Sequence, residues 1–267
     1  MDIKVKEIKN STSHVEATLT KNEVDTQKEH AIDELISEVT VKGFRQGKAP
    51  RSIAADHIDP DKLSNHILGH LLNDIIDQVI KENKYRLLGR PVLENIDSKS
   101  NDGWIITISL PLYPEVKLGD YKKLFTKSKT TTKETKETED IKIDKIYETL
   151  SKNIKVEIPE LVVDEETNYS MDRLANQAKT LNLTLESYLK AVNKTLEQVK
   201  DEYSKKAEES IKLDLILLEI AKEEKIDTDI QELTKIAKEG GVPESRLAQL
   251  KSIMDRRKTI ELLLKLC

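Results

Sequence analysis

Gly43-Phe44-Arg45-Gln46-Gly47-Lys48-Ala49-Pro50 stands between two stretches of helical periodicity and belongs to neither. Its two glycines and its proline dictate an unusual backbone path, because glycine reaches left-handed conformations freely and proline fixes φ. Lys42, Arg45, Lys48 and Arg51 crowd positive charge onto it, with no acid between Val41 and Arg51. Phe44 is one of only two phenylalanines in the chain. A ring among cations in a glycine-bounded loop suits a docking tip, the ring supplying area to bury and the cations steering the approach. Two other readings compete. The glycines can simply end one helix and Pro50 open the next, with Phe44 folded inward as core. The stretch can also be compared with a phosphate-binding loop, which needs four residues between its glycines and Ser or Thr after the Lys. Here three residues separate Gly43 from Gly47 and Ala49 follows Lys48, so no hydroxyl is placed for magnesium.

Working back from the loop, Val24, Ala31, Leu35 and Val39 share a helical face, which predicts a helix stopping near Gly43. Before it, Ile3, Val5 and Ile8 and then His14 to Leu19 alternate as strands around the turn cluster Asn10-Ser11-Thr12-Ser13. Working forward, Asp59-Pro60 opens a helix, Asp59 as N-cap and Pro60 in the first turn, with Leu63, Ile67, Leu71, Ile75 and Val79 holding its spacing to about Asn83. Val92 to Ile96 and Trp104 to Leu110 read as two further strands around Asn101-Asp102-Gly103. Strands that flank helices rather than alternating with them predict an α+β domain with an antiparallel sheet, over residues 1–125.

Residues 126–140 form a Thr/Lys/Glu tract without an aliphatic side chain, read as an extended connector or a sparsely packed edge strand. After it, residues 141–267 predict an all-α domain. Its breaks fall at Ile158-Pro159 and at Gly240-Gly241-Val242-Pro243, Thr184 caps a short helix, and a long helix runs from near Leu196 to Lys225 with its core between Ile211 and Ala221.

Composition narrows the function. With 35% charged and 4% aromatic residues and a formal net charge of −5, an anionic partner has to be met by a local patch, and residues 41–51 supply one. The single cysteine, Cys267, allows no internal disulfide. No run reaches the length of a membrane span and no apolar signal core follows Met1, so the expected location is the cytoplasm. His66 and His70 lie four apart on one helix, but Ile67 stands where a zinc-protease motif needs Glu and no cysteine supplies a third ligand. They are read as packing histidines, and no metal, cofactor or catalytic residue is nominated.

Gly-Phe-Arg-x-Gly-Lys-x-Pro resembles the signature of the bacterial trigger factor family, with all six fixed positions present. Tyr113-Pro114-Glu115-Val116-Lys117-Leu118 is similar to the end of that family's ribosome-binding domain, and residues 141–267 resemble its helical chaperone domain by pattern rather than motif. The resemblance implies an ATP-independent chaperone that docks on the large ribosomal subunit near the exit tunnel and shields unfolded or nascent polypeptides. It carries the ribosome contact to Gly43, Phe44, Arg45, Gln46, Gly47, Lys48 and Pro50. It implies no cofactor and no membrane partner, and leaves a weak homodimer open. Family members usually carry a prolyl isomerase domain between the two parts. Only the polar tract and a short helix stand there in this chain, so a non-enzyme is expected. The alternatives are a peptidyl-prolyl isomerase and a ribosome- or RNA-binding module without chaperone activity.

Overall fold

The computed structural model describes residues 1–98, 103–126 and 139–266. The chain divides into two compact units, Met1–Tyr113 and Pro114–Cys267.

In the first unit, β1 (Asp2–Lys9), β2 (Thr12–Thr20), β3 (Val92–Asp97) and β4 (Gly103–Pro111) form an antiparallel sheet in the order β1-β2-β4-β3. Asn10 and Ser11 both take positive φ, the mirror-image turn whose twist suits a two-residue hairpin. β2 pairs with β4 without a break from Thr12↔Pro111 to Thr20↔Gly103. Period-two alternation turns Val15, Ala17 and Leu19 of β2 and Ile106, Ile108 and Leu110 of β4 into the core. Two helices supply the rest of that core, α1 (Lys21–Leu35) through Ala31 and α3 (Pro60–Asn83) through Ile67, Leu71, Ile75 and Val79. Reciprocal hydrogen bonds between Thr20 and Glu23 start α1, and Asp59 accepts from the Asp61 and Lys62 amides to start α3.

The helix predicted to reach Gly43 ends eight residues earlier, at Leu35. Its last carbonyls find local donors: Ile36 N bonds Ile32 O, Glu38 N bonds Leu35 O, and Ser37 Oγ donates to Glu34 O. The β-branched run Val39-Thr40-Val41 then favours extended backbone. Val39 keeps its apolar role outside the helix, packing with Ile36 against Ile32, Leu35 and Ile58.

The second unit is helical: α4 (Tyr121–Thr126), α5 (Glu139–Asn153), α6 (Glu160–Thr180), α7 (Leu185–Ala191), α8 (Leu196–Glu223), α9 (Ile230–Glu239), a 3-10 turn at Glu244–Arg246, and α10 (Leu247–Leu266). Thr184 and Thr195 cap α7 and α8 through the Ser187 and Gln198 amides. Ile216, Leu217 and Ile220 of α8 are buried with Ile146, Leu150, Ile154 and Leu263. The α+β fold followed by an all-α region is as the sequence predicts. The division between them lies nearer the N-terminus than residue 125. Leu118, Tyr121 and Phe125 are buried in the helical core, and the Tyr121 hydroxyl donates to Glu224 Oε1 at 2.6 Å. Sheet-unit pairing ends with Leu112 N on Ser11 O and Tyr113 N on Arg86 O, so the apolar run after Pro114 has its partners in the second unit. Of the polar tract, residues 127–138 lie outside the described residues, as do Asn101, Asp102 and Cys267.

Candidate functional site

The loop between α1 and α2 (Arg51–Ala55) is folded back on its own neck. Phe44 N donates to Val41 O at 3.0 Å and Lys48 N to Arg45 O at 2.9 Å, two tight turns in succession. Gly47 N reaches Val39 O at 3.3 Å, and Gln46 Nε2 reaches Glu38 O at 3.1 Å. Gly47 has φ +71°, and a Cβ there would lie 2.6 Å from the Ser37 carbonyl oxygen, so the close approach of two backbones requires glycine. At Gly43, with φ +91° and open space around it, only the backbone angle does. Pro50 stands at the N-cap of α2, its carbonyl accepting from Ala54 N at 2.9 Å. Val41, within the loop, is buried.

This path presents the tip to solvent. Phe44 is 42% exposed and belongs to no core cluster among the described residues, which excludes the reading of Phe44 as core. Lys42, Arg45, Gln46 and Lys48 are exposed, and among the described residues Lys42, Arg45 and Lys48 make no ion pair. Arg51 behaves differently from the sequence reading. Its guanidinium turns back to α1, with Nε on Asp33 at 2.6 Å and Nη2 on Glu29 at 2.5 Å. The hydrogen bonds to Asp33 and then Glu29 raise its pKa. The charge of the tip is carried by Lys42, Arg45 and Lys48, while Arg51 braces the neck.

Two side-chain groupings were not visible in the sequence. Ser109 Oγ lies 2.8 Å from His14 Nδ1, which lies 3.1 Å from Glu94 Oε1, and Ser109 also bonds Glu94 directly. Both partners meet the same imidazole nitrogen and Ser109 is 1% exposed, whereas a nucleophilic serine needs the base on one ring nitrogen and its orienting acid on the other. The group ties β2, β3 and β4 together. The second grouping joins His66 and His70 to Glu34, across from them on α1. The helical signal found the two histidines; no local signal reaches a glutamate 32 residues away.

The second unit offers apolar surface of another kind. A cleft of about 350 Å³ is lined by apolar side chains, among them Ile143, Tyr147, Ile253 and Ile260, together with the charged Asp214, Arg256, Arg257 and Glu261. Elsewhere Tyr169, Leu181, Leu196 and Ile230 each expose more than half of their surface. Among the described residues no helix is long and apolar enough to cross a membrane.

One chain thus joins a sheet unit carrying a braced cationic–aromatic loop to a helical unit with a cleft lined by apolar and charged side chains. The family model described as bacterial trigger factor protein matches residues 1–146, and that for the bacterial trigger factor C-terminus matches residues 120–265. The chain belongs to the bacterial trigger factor family. It is similar to the trigger factor of Caldicellulosiruptor bescii, 33% identical over 103 residues (39% of this chain and 24% of the relative). To that of Syntrophomonas wolfei it is 27% identical over 120 residues (45% and 27%). The matched stretch thus spans about a quarter of the length of these curated relatives. A solved structure from work on promiscuous substrate recognition in folding and assembly activities of the trigger factor chaperone superposes with a TM-score of 0.69 at 15% identity, covering 99% of each chain. That likeness establishes the fold.

Proposed function

We propose that this protein is an ATP-independent chaperone of the cytoplasm that docks on the large ribosomal subunit near the exit tunnel and shields unfolded or nascent polypeptides. The observation that carries the reading is the loop tip. Phe44, Arg45 and Lys48 stand exposed on a loop whose neck is fixed by Gly47 against Ser37 and by Arg51 against Asp33 and Glu29. A pre-ordered tip loses little conformational freedom on binding, so its contacts go into affinity. Arg45 suits a carboxylate or phosphate through two parallel hydrogen bonds, and Lys48 acts as a point charge.

The helical unit supports the chaperone half. Dispersed apolar side chains among charges favour weak, repeated contacts with an extended client over capture of one partner. The regions matched by the two family models overlap over residues 120–146, leaving no stretch between them for an isomerase domain, which supports the reading as a non-enzyme. Light scattering by a chemically denatured client, diluted without nucleotide, tests this half. Suppression at near-stoichiometric protein is expected. Unchanged scattering would reject the chaperone reading and leave a ribosome-binding module.

A further inference from the structure

We propose that Glu34, His66 and His70 form a binding site for a divalent transition-metal ion of the zinc class at the base of the loop arm. His66 and His70 project from successive turns of α3, their rings 4.8 Å apart at 73° to one another. Both present Nε2 to the same oxygen of Glu34, at 2.6 and 3.0 Å. Glu34 comes from the last turn of α1, and the three ligand atoms lie within 4.8 Å of one another.

Two imidazoles and one carboxylate are a donor set that zinc accepts, with water in the remaining position. Bonds of about 2.0–2.1 Å at tetrahedral angles hold neighbouring ligand atoms about 3.3 Å apart, so the two imidazole nitrogens, within 4.8 Å of one another, have to turn to that separation while the Glu34 oxygen withdraws by less than about an ångström to admit the ion. Its side chain is 54% exposed and free to do so, and the histidines, each 36% exposed, leave water a way in. Imidazole nitrogen selects zinc, copper or nickel over magnesium or calcium. A helix–helix hydrogen bond needs only one of the two histidines; the second, converging with the same nitrogen, completes a chelate. The ion would join α1 to α3 at the point where the chain leaves for the loop and returns from it. This inference stands independently of what the loop binds.

The test uses the full chain stripped with chelator, carrying Cys267→Ser so that the thiol takes no part. Titration calorimetry with zinc chloride is expected to give one equivalent bound, a raised melting temperature, and affinity at least tenfold weaker in His66→Ala, His70→Ala and Glu34→Gln. His57→Ala, which changes an exposed histidine elsewhere, should bind as the parent does. Imidazole resonances read the site without any change at the ligands: those of His66 and His70 should move together on adding zinc, and those of His14, His30 and His57 should not. Absence of stoichiometric binding, binding that survives loss of both histidines, or movement of the other rings instead would overturn the proposal and leave the cluster a hydrogen-bonded helix contact.

Discussion

Ile216→Ala should loosen the helical unit and leave the sheet unit unaffected. Ile216 is fully buried among Ile146, Leu150, Leu263 and Phe125. The change removes three carbons, worth about 0.8 kcal/mol each in lost transfer free energy, or roughly 2.4 kcal/mol. The unfilled cavity adds to this, because its walls relax only in part, giving a total of about 3–4 kcal/mol within the usual range of about 2–5. With a urea dependence of about 2 kcal/mol/M, the unfolding midpoint of the helical unit should fall by about 1.5–2 M. Two signals separate the units within one sample. The single tryptophan, Trp104, packs against the core of the sheet unit, whereas most described helical residues belong to the second unit. The helical circular dichroism transition should move and the Trp104 fluorescence transition should hold its midpoint. A shift of equal size in both would refute the reasoning, because the units would then unfold as one.

Gly47→Ala should destabilise the sheet unit by at least about 1–2 kcal/mol, the cost of a left-handed non-glycine residue, with the clash at Ser37 added; Gly43→Ala, facing open space, should cost only the backbone part, and Trp104 fluorescence in urea reads both. Asp255 sits 14% exposed in the helical unit, where burial works to raise its pKa but hydrogen bonds from Lys251 and Thr228 outweigh it and hold the carboxyl below its ordinary value. A depressed folded pKa contributes stability that is present above the unfolded value of about 3.9 and lost as pH falls through the folded one, so the helical transition should weaken below about pH 4, and Asp255→Asn should flatten that part of the profile. Purified protein should leave cis/trans exchange of a short Xaa-Pro peptide at the rate seen with a heat-denatured control; clear acceleration would return the isomerase reading.

What the sequence disclosed was mostly local. Asp59-Pro60 and Thr184 announce helix starts because a cap is a bond between near neighbours, and β2 and β4 announce themselves because alternation survives along the whole paired length. Val39 misled because an apolar residue at helical spacing from Leu35 reads the same whether it continues the helix or packs from the loop beyond it. Phe125 misled in a similar way, since hydrophobicity says that a side chain will be buried and not in which core. The partners of Arg51 and of the histidine pair stayed hidden for one reason: Asp33, Glu29 and Glu34 lie on a helix that only tertiary packing brings opposite them. The loop proposed to dock was legible as a unit because its signature is contiguous. What the structure adds is that Phe44 is outside and that Arg51 faces the neck.

The central claim is tested most directly by co-sedimentation with ribosomes, comparing the parent protein with a variant carrying Phe44→Ala, Arg45→Ala and Lys48→Ala together. Exposed ion pairs alone give about 0–1 kcal/mol each, but an arginine and an aromatic ring desolvated together at the centre of an interface reach about 2 kcal/mol or more each. At about 1.4 kcal/mol per decade, the triple variant should bind at least about a hundredfold more weakly. Added salt should weaken the parent and matter less for the variant, whose Trp104 fluorescence and helical signal should match the parent's. A folded triple variant that co-sediments as the parent does would contradict the assignment of the loop as the ribosome contact.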